Sequence, residues 1–281
     1  MKEFKDLKVL VRGAGDIASG IIWNLNYAGF KVVCTDIEKP SCIRREVAYS
    51  EAIFDGEKLL DGVRCVFAKG ISYIDDILNK GNVALIVDEK LDILHKMHFD
   101  VVVDAILAKK NLGTNIDMAD VVIGVGPGFT AGKDCHFAIE TMRGHTLAKI
   151  YEEGSPLPNT GIPGLIGGHA SDRVMHSPCE GIFHNVHKIG DIVKKDEILS
   201  QVEECKDYKP TGKTYELKAS IDGVLRGILR DGFYANNHLK CADIDPRLTE
   251  LENCFSISDK ARSIGGAVLA TILHAECIGK K

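Results

Sequence analysis

Runs of adjacent β-branched and aliphatic residues without polar alternation recur through the first half of the chain, at residues 7–12, 30–35, 83–87, 99–103 and 121–125. Unbroken apolar runs of this length are what strands buried on both faces require. Helix-length stretches stand between several of them, at 17–28, 71–79 and 91–98. Strand alternating with helix predicts a doubly wound parallel sheet. Residues 45–68 break the repeat, because Asp55-Gly56 and Asp61-Gly62 are hairpin-turn dipeptides and predict a small antiparallel excursion.

The first strand runs straight into a glycine-rich turn and a helix start, KVLVRGAGDIASG at residues 8–20. Gly13, Gly15 and Ala18 occupy the three small-residue positions of the dinucleotide fingerprint, with Ala14 and Asp16 between them. The first permits the tight turn, the second lets backbone approach a pyrophosphate, and the third packs helix on strand. The helix start presents free N–H groups and partial positive charge to the anion. The second strand leads to Asp36, about 20 residues beyond the glycines, where the fingerprint places an acid on a ribose hydroxyl. Strand, glycines, helix and acid in this order predict a Rossmann-like, nucleotide-binding sheet.

Ligands of open α/β sheets sit beyond the carboxyl ends of the strands. Those ends read Asp36, Asp88, Asp104 and the loop 124–128. Asp88 fits a cap for the helical stretch that follows it. Asp104 is followed by Lys109 and Lys110, which brings a carboxylate and two cations to one edge. A second glycine loop, GVGPGFTAGKDCHFAIETMRGH, contains Gly126, Gly128 and Arg143. It is not a Walker loop: Pro127 stands where a glycine is needed, and Asp134 replaces the hydroxyl residue that holds Mg²⁺. His136 and Glu140 nearby are read as satisfied polar residues, and no metal site is assigned from spacing.

The second half carries an internal repeat. Residues 177–203 and 220–246 align, each with a turn before Gly181 or Gly223 and a second glycine at Gly190 or Gly232. The pattern resembles the lipoyl/biotinyl family of small all-β barrel-sandwich domains, in which each half supplies one sheet, most closely at residues 190–199. The long stretch 204–218 between the halves lacks a methionine-flanked lysine hairpin, so a structural or docking module is expected. Residues 154–168 are dense in Gly, Pro and Asn and read as linker. The last stretch begins with Ser258 or Asp259 as N-cap and places Ile264, Val268 and Ile272 at helical spacing. Gly265-Gly266 inside that helix implies close packing against another element. The expected domains are 1–170 (Rossmann-like, nucleotide-binding), 171–250 (barrel-sandwich-like) and 251–281 (a helix packing back on the first).

Composition narrows the partners. At 281 residues, with 45% apolar and 27% charged residues and a net charge of −5, the chain is an ordinary globular sequence with no basic face for nucleic acid. It carries neither a signal-peptide pattern nor a membrane-length apolar run, so a cytoplasmic protein is expected. Nine cysteines without CxxC spacing read as reduced structural thiols.

Taken together, VRGAGDIASGI, DAILAKKNLGTNIDMADVVIGVGPGFTAGKDCHFAIETMRGH, PNTGIPGLIGG, DGVLRGILRDG and SDKARSIGG resemble the YqeB-type family of selenium-dependent molybdenum hydroxylase accessory proteins. The resemblance covers almost the whole chain and extends to xanthine dehydrogenase accessory factors. It implies a role in maturation of a molybdenum hydroxylase client, without implying catalysis, and a dinucleotide ligand such as molybdopterin cytosine dinucleotide. In that reading the turn from Gly13 to Ala18 holds a pyrophosphate and Asp36 a ribose, and Gly126, Gly128 and Arg143 approach a second anionic group. Two alternatives stay open: an NAD(P)- or FAD-dependent oxidoreductase with Asp104, Lys109 or His136 as base, and a nonenzymatic scaffold that docks the client. A homodimer is compatible with each.

Overall fold

The computed structural model describes residues 6–161, 164–277 and 279. Ile162 and Pro163 of the predicted linker, the first five residues of the N-terminal segment, and Ile278, Lys280 and Lys281 lie outside the described residues. The chain divides into two compact units. One comprises Met1–Pro40, Ala48–Thr160 and Ile257–Lys281; the other comprises Ser41–Val47 and Gly161–Ser256.

In the first unit the elements are β1 (Lys8–Arg12), α1 (Asp16–Tyr27), β2 (Lys31–Asp36), α2 (Ala52–Asp55), β3 (Glu57–Leu60), β4 (Val63–Phe67), α3 (Ile74–Asn79), β5 (Val83–Val87), β6 (Val101–Asp104), β7 (Val121–Val125), β8 (Phe137–Ile139), β9 (Ile150–Tyr151) and α4 (Asp259–Cys277). The apolar runs do form adjacent parallel strands, and the nine-stranded order is β3-β4-β5-β2-β1-β6-β7-β8-β9. The Rossmann-like doubly wound parallel sheet is nonetheless corrected by this topology. The sheet is mixed, since β3 pairs antiparallel with β4 at one end and β9 antiparallel with β8 at the other.

Helices also fail to cover both faces evenly. One face packs Val9, Val11, Val101 and Val103 under α1 and α4. The other packs Leu10, Val33 and Val102 under six-residue α3, a 3-10 turn at Asp92–His95 and the loop holding Phe129 and Ala131. The cause is local: the crossovers from β6 to β7 and from β7 to β8 carry Asn111, Gly113, Gly126, Pro127, Gly128 and Gly132, which deny a helix its length. Leu91 at φ +61 likewise delays the predicted helix at 91–98, and Asp88 caps the short turn that remains through the N–H groups of Asp92 and Ile93. Asp61 and Gly62, both at positive φ, make the β3–β4 hairpin. Gly56, also at positive φ, ends α2 instead of turning a hairpin.

The second unit contains β10 (Val174–His176), β11 (Gly181–Asn185), β12 (Ile192–Val193), β13 (Ile198–Lys206), β14 (Lys209–Lys218), β15 (Gly223–Ile228), β16 (Tyr234–Ala235) and β17 (Lys240–Asp245). They form two antiparallel sheets, β10-β17-β15-β12 and β14-β13-β11-β16. This overturns the lipoyl/biotinyl-like barrel-sandwich in which each repeat supplies one sheet. Two-residue β12 of the first repeat pairs with β15 of the second, and β16 of the second pairs with β11 of the first. The long stretch 204–218 between the repeats forms most of the β13–β14 hairpin. Phe183, Leu199, Val202, Val224, Ile228 and Ile244 fill the core. Residues 41–47 join this unit, Ile43 accepting the Ile228 N–H at 2.9 Å and Arg45 donating to the Ile228 carbonyl at 2.9 Å.

Candidate functional site

The carboxyl end of β1 turns at Gly13, whose φ of +100° is open to glycine at low cost. A Cβ there would stand 3.1 Å from the Ala105 carbonyl oxygen and 3.2 Å from Ile106 Cα. We expect Gly13→Ala to destabilise the chain by about 1–3 kcal/mol, read from a urea midpoint shift at unchanged m-value. The Gly13 N–H bonds to the Thr35 carbonyl at 2.8 Å, and the Ala14 N–H donates to Asp36 Oδ2 at 2.9 Å. The Ala14 carbonyl accepts from Ser50 N–H at 2.9 Å and Ser19 Oγ at 3.2 Å, which fixes the turn on α1. Gly15 caps α1 in an extended conformation, with no side-chain cap bond. Ala18 is buried beneath the helix, as close helix–strand packing needs.

Asp36 sits at the end of β2, its two oxygens accepting from the N–H groups of Ala14 and Ile37. Burial pushes its carboxyl up, and those two N–H groups pull it back. Each carboxylate oxygen has two lone pairs, so both retain capacity for a ribose hydroxyl.

The start of α4 joins this edge. A Cβ on Gly20 would meet the Ala261 carbonyl at 2.5 Å, and one on Gly265 would meet the Gly20 carbonyl at 2.4 Å. One turn on in each helix, the Gly265 Cβ position also lies 2.3 Å from the Asn24 amide, and Asp16 at the start of α1 lies beside Lys260 at the start of α4, so the two helices run in the same direction with their starts at one end. Ser258 caps α4 by accepting the Ala261 N–H at 3.2 Å. Arg143 binds the Asp259 carboxylate through both terminal nitrogens, at 2.8 and 3.1 Å. Lys260 lies among Asp16, Glu140, Asp259 and Arg143. Burial pushes its ammonium pKa below the ordinary lysine value and Arg143 pushes the same way, while the three acids oppose them.

Glu140 is fully buried and holds the loop after β8. Its oxygens accept from Thr141 N–H and Met142 N–H, both at 2.7 Å, and from Leu157 N–H at 2.8 Å.

The remaining sequence candidates divide. Gly126, at φ +91°, donates its N–H to the Ile139 carbonyl at 2.8 Å, next to Thr141. Gly128 lies on the backbone of Lys110, where a Cβ would stand 2.6 Å from Lys110 Cα. Lys109 is exposed at φ +64°. Asp104 is fully buried, accepting from Arg12 at 3.0 Å, Thr114 Oγ1 at 2.5 Å and Ile106 N–H at 3.2 Å. His136 precedes β8 and therefore lies at the opposite, amino-terminal edge of the sheet. Lys260 escaped the sequence reading although a signal was present: a cation in the first turn of a helix opposes the dipole, and an anion nearby offsets that cost.

No family model matches the chain. Among solved structures it is similar to a succinylglutamate desuccinylase/aspartoacylase from Rhodobacter sphaeroides, at 14% identity over 86% of both chains with a TM-score of 0.30. It is also similar to an aspartoacylase family protein from Mesorhizobium loti, at 13% identity over 86% of both chains with a TM-score of 0.29. Scores at this level do not define a shared fold. No helix among the described residues is long and apolar enough to cross a membrane. The chain is 44% identical over 265 residues, 94% of its length, to the uncharacterized protein YqeB of Escherichia coli (strain K12), spans about half (47%) of that relative, and belongs to the YqeB-type family.

Proposed function

We propose that the first unit binds a dinucleotide at the edge where α1 and α4 begin, and that the chain serves as an accessory protein holding a nucleotide-containing molybdenum cofactor for a selenium-dependent hydroxylase. The observation that carries the binding reading is the pairing of two parallel helix starts around Lys260. Each helix start favours an anion by its dipole, and a partly buried ammonium between acids and Arg143 gains a counter-charge when a phosphate enters. The turn has features that suit a pyrophosphate: Gly15 at the N-cap has no side chain to occupy the start of α1, the Asp16 carboxylate in the first turn has Lys260 nearby, and Asp36 keeps acceptor capacity for a ribose. The client and the molybdenum cofactor come from the sequence resemblance. Burial pushes the Cys135 thiol up to about 11 and the Cys241 thiol up to about 12. Thiols held protonated are poor nucleophiles, which favours holding a cofactor over transferring selenium through these two.

The test is thermal unfolding with NAD(H), NADP(H), FAD, cytidine nucleotides and molybdopterin cytosine dinucleotide under anaerobic conditions. A ligand at about 100 times its dissociation constant stabilises by roughly 2.7 kcal/mol. Stabilisation by the cytidine-containing ligands, lost in Lys260→Gln, is the expected result; stabilisation only by NAD(P) or FAD replaces the cofactor reading with an oxidoreductase. Affinity should also fall as pH rises through the lowered pKa of Lys260, beginning below the ordinary value of 10.5 because only the ammonium attracts the phosphate. An affinity unchanged up to pH 10.5 or in Lys260→Gln removes Lys260 from the site.

A further inference from the structure

We propose that the opposite, amino-terminal edge of the same sheet carries a divalent metal site built from His98, Asp100 and Asp120. Strand register creates it. β6 and β7 pair in parallel with Val101 opposite Val121, so the residues just before them, Asp100 and Asp120, stand side by side. Asp100 Oδ2 accepts the Lys8 backbone N–H at 2.9 Å, which leaves Oδ1 to turn the other way. Asp100 Oδ1 faces the His98 ring instead.

The spacing is that of ligands rather than of a hydrogen bond. One donor atom from each of the three residues lies within 4.8 Å of the others. His98 Nε2 and Asp100 Oδ1 are 3.6 Å apart, beyond hydrogen-bond range. Two ligands of a tetrahedral ion at about 2.1 Å lie about 3.4 Å apart, which matches. Asp100 is buried at 6% exposure and fixed by its Lys8 bond, so one ligand is rigid and the other two reach it from the surface.

A pocket of about 440 Å³ opens beside the cluster and shares His98 and Asp120 with it. His136 lines the same pocket, and its Nδ1 accepts the Val122 N–H at 3.0 Å. The neutral ring therefore carries its proton on Nε2 and is a donor toward an oxygen ligand, not a fourth metal ligand. One imidazole and two carboxylates suit Mn²⁺, Fe²⁺ or Zn²⁺ over softer or purely oxygen-seeking ions. Three protein ligands leave positions open for water or an oxygen-bearing ligand from the pocket.

The test uses the full chain, stripped with chelator and titrated with Mn²⁺ and, separately, Zn²⁺, following bound ion by calorimetry and Mn²⁺ by electron paramagnetic resonance. One Mn²⁺ or Zn²⁺ per chain is expected. His98→Ala and Asp120→Asn should each weaken it by at least the roughly 10–100-fold that loss of an outer-shell partner costs. Both side chains are exposed, so the variants should keep the wild-type circular dichroism. Mn²⁺ disfavours thiolates, which separates this site from binding at Cys42 or Cys277. Absence of binding by both ions overturns the proposal, as does binding that survives both substitutions.

Discussion

Asp104→Ala should cost about 3–5 kcal/mol, because it leaves the Arg12 guanidinium buried without its counter-charge. The pair is 3.0 Å apart, with Arg12 11% exposed and Asp104 fully buried, at the ends of adjacent strands β1 and β6. Arg12 also donates to the Leu112 carbonyl and Thr114 Oγ1, both at 3.1 Å, so this one contact closes the loop between β6 and β7. Removing the carboxylate deprives Thr114 Oγ1 and Ile106 N–H of their acceptor as well. For a chain of this size the loss lowers Tm by on the order of 10 °C. Asp104→Asn should recover only part of it, since the amide returns an acceptor but presents an NH₂ group or a neutral oxygen to the guanidinium. Replacing both partners, as Arg12→Met with Asp104→Leu, should recover the part of the loss that comes from the uncompensated guanidinium but not the part from Thr114 Oγ1 and Ile106 N–H, which stay without their acceptor. A loss below about 1 kcal/mol in Asp104→Ala would mean that the carboxylate is not structural and would return it to the ligand candidates.

The ends of the strands show why sequence reads some of this molecule and not the rest. Val9, Val32, Val101 and Val121 announce buried strands because three or more consecutive positions, facing both sides of the sheet, are apolar, a signal contained within five residues. The Asp61-Gly62 turn and the Asp88 cap are equally local. Each depends on backbone preferences and bonds within a few residues.

Asp104 illustrates the limit. Its position after a strand is legible, but its partner Arg12 is 92 residues away, and only the β1–β6 pairing brings them together. The metal ligands obey the same rule: Asp100 and Asp120 are ordinary acids until strand register sets them side by side. In the second half the repeat was visible, yet which strands pair across it was not. Two-residue strands such as β12 and β16 carry too little periodicity to declare a partner. The doubly wound expectation failed for a related reason, since strand alternation registers a crossover without registering whether glycine and asparagine will let it become a helix.

Adjacent glycines in α4 should respond with opposite signs, and the pair tests the helix contact on which the proposed ligand edge depends. Gly20 in α1 faces α4 so closely that a Cβ would stand 2.5 Å from the Ala261 carbonyl carbon and oxygen, both backbone atoms. Gly265 returns the contact, with a Cβ position 2.4 Å from the Gly20 carbonyl oxygen and 2.3 Å from the Asn24 amide, which itself bonds that carbonyl at 2.8 Å. The Ala261 and Gly20 backbone atoms cannot swing away, and the Asn24 amide can do so only by giving up its bond to the Gly20 carbonyl. Gly20→Val and Gly265→Val should therefore force the helices apart and destabilise by about 2–3 kcal/mol, the overpacking cost exceeding the gain from removing a helical glycine. Gly266, one residue on, meets nothing within 4 Å. There the helix gain is unopposed, and Gly266→Ala should stabilise by up to about 1 kcal/mol. Thermal melts of the three variants separate packing from propensity. The same displacement would move Lys260 away from the start of α1. Gly20→Val is thus expected to weaken nucleotide binding in whatever fraction remains folded, while Gly266→Ala leaves it intact; equal affinities in both would separate the ligand site from the α1–α4 contact.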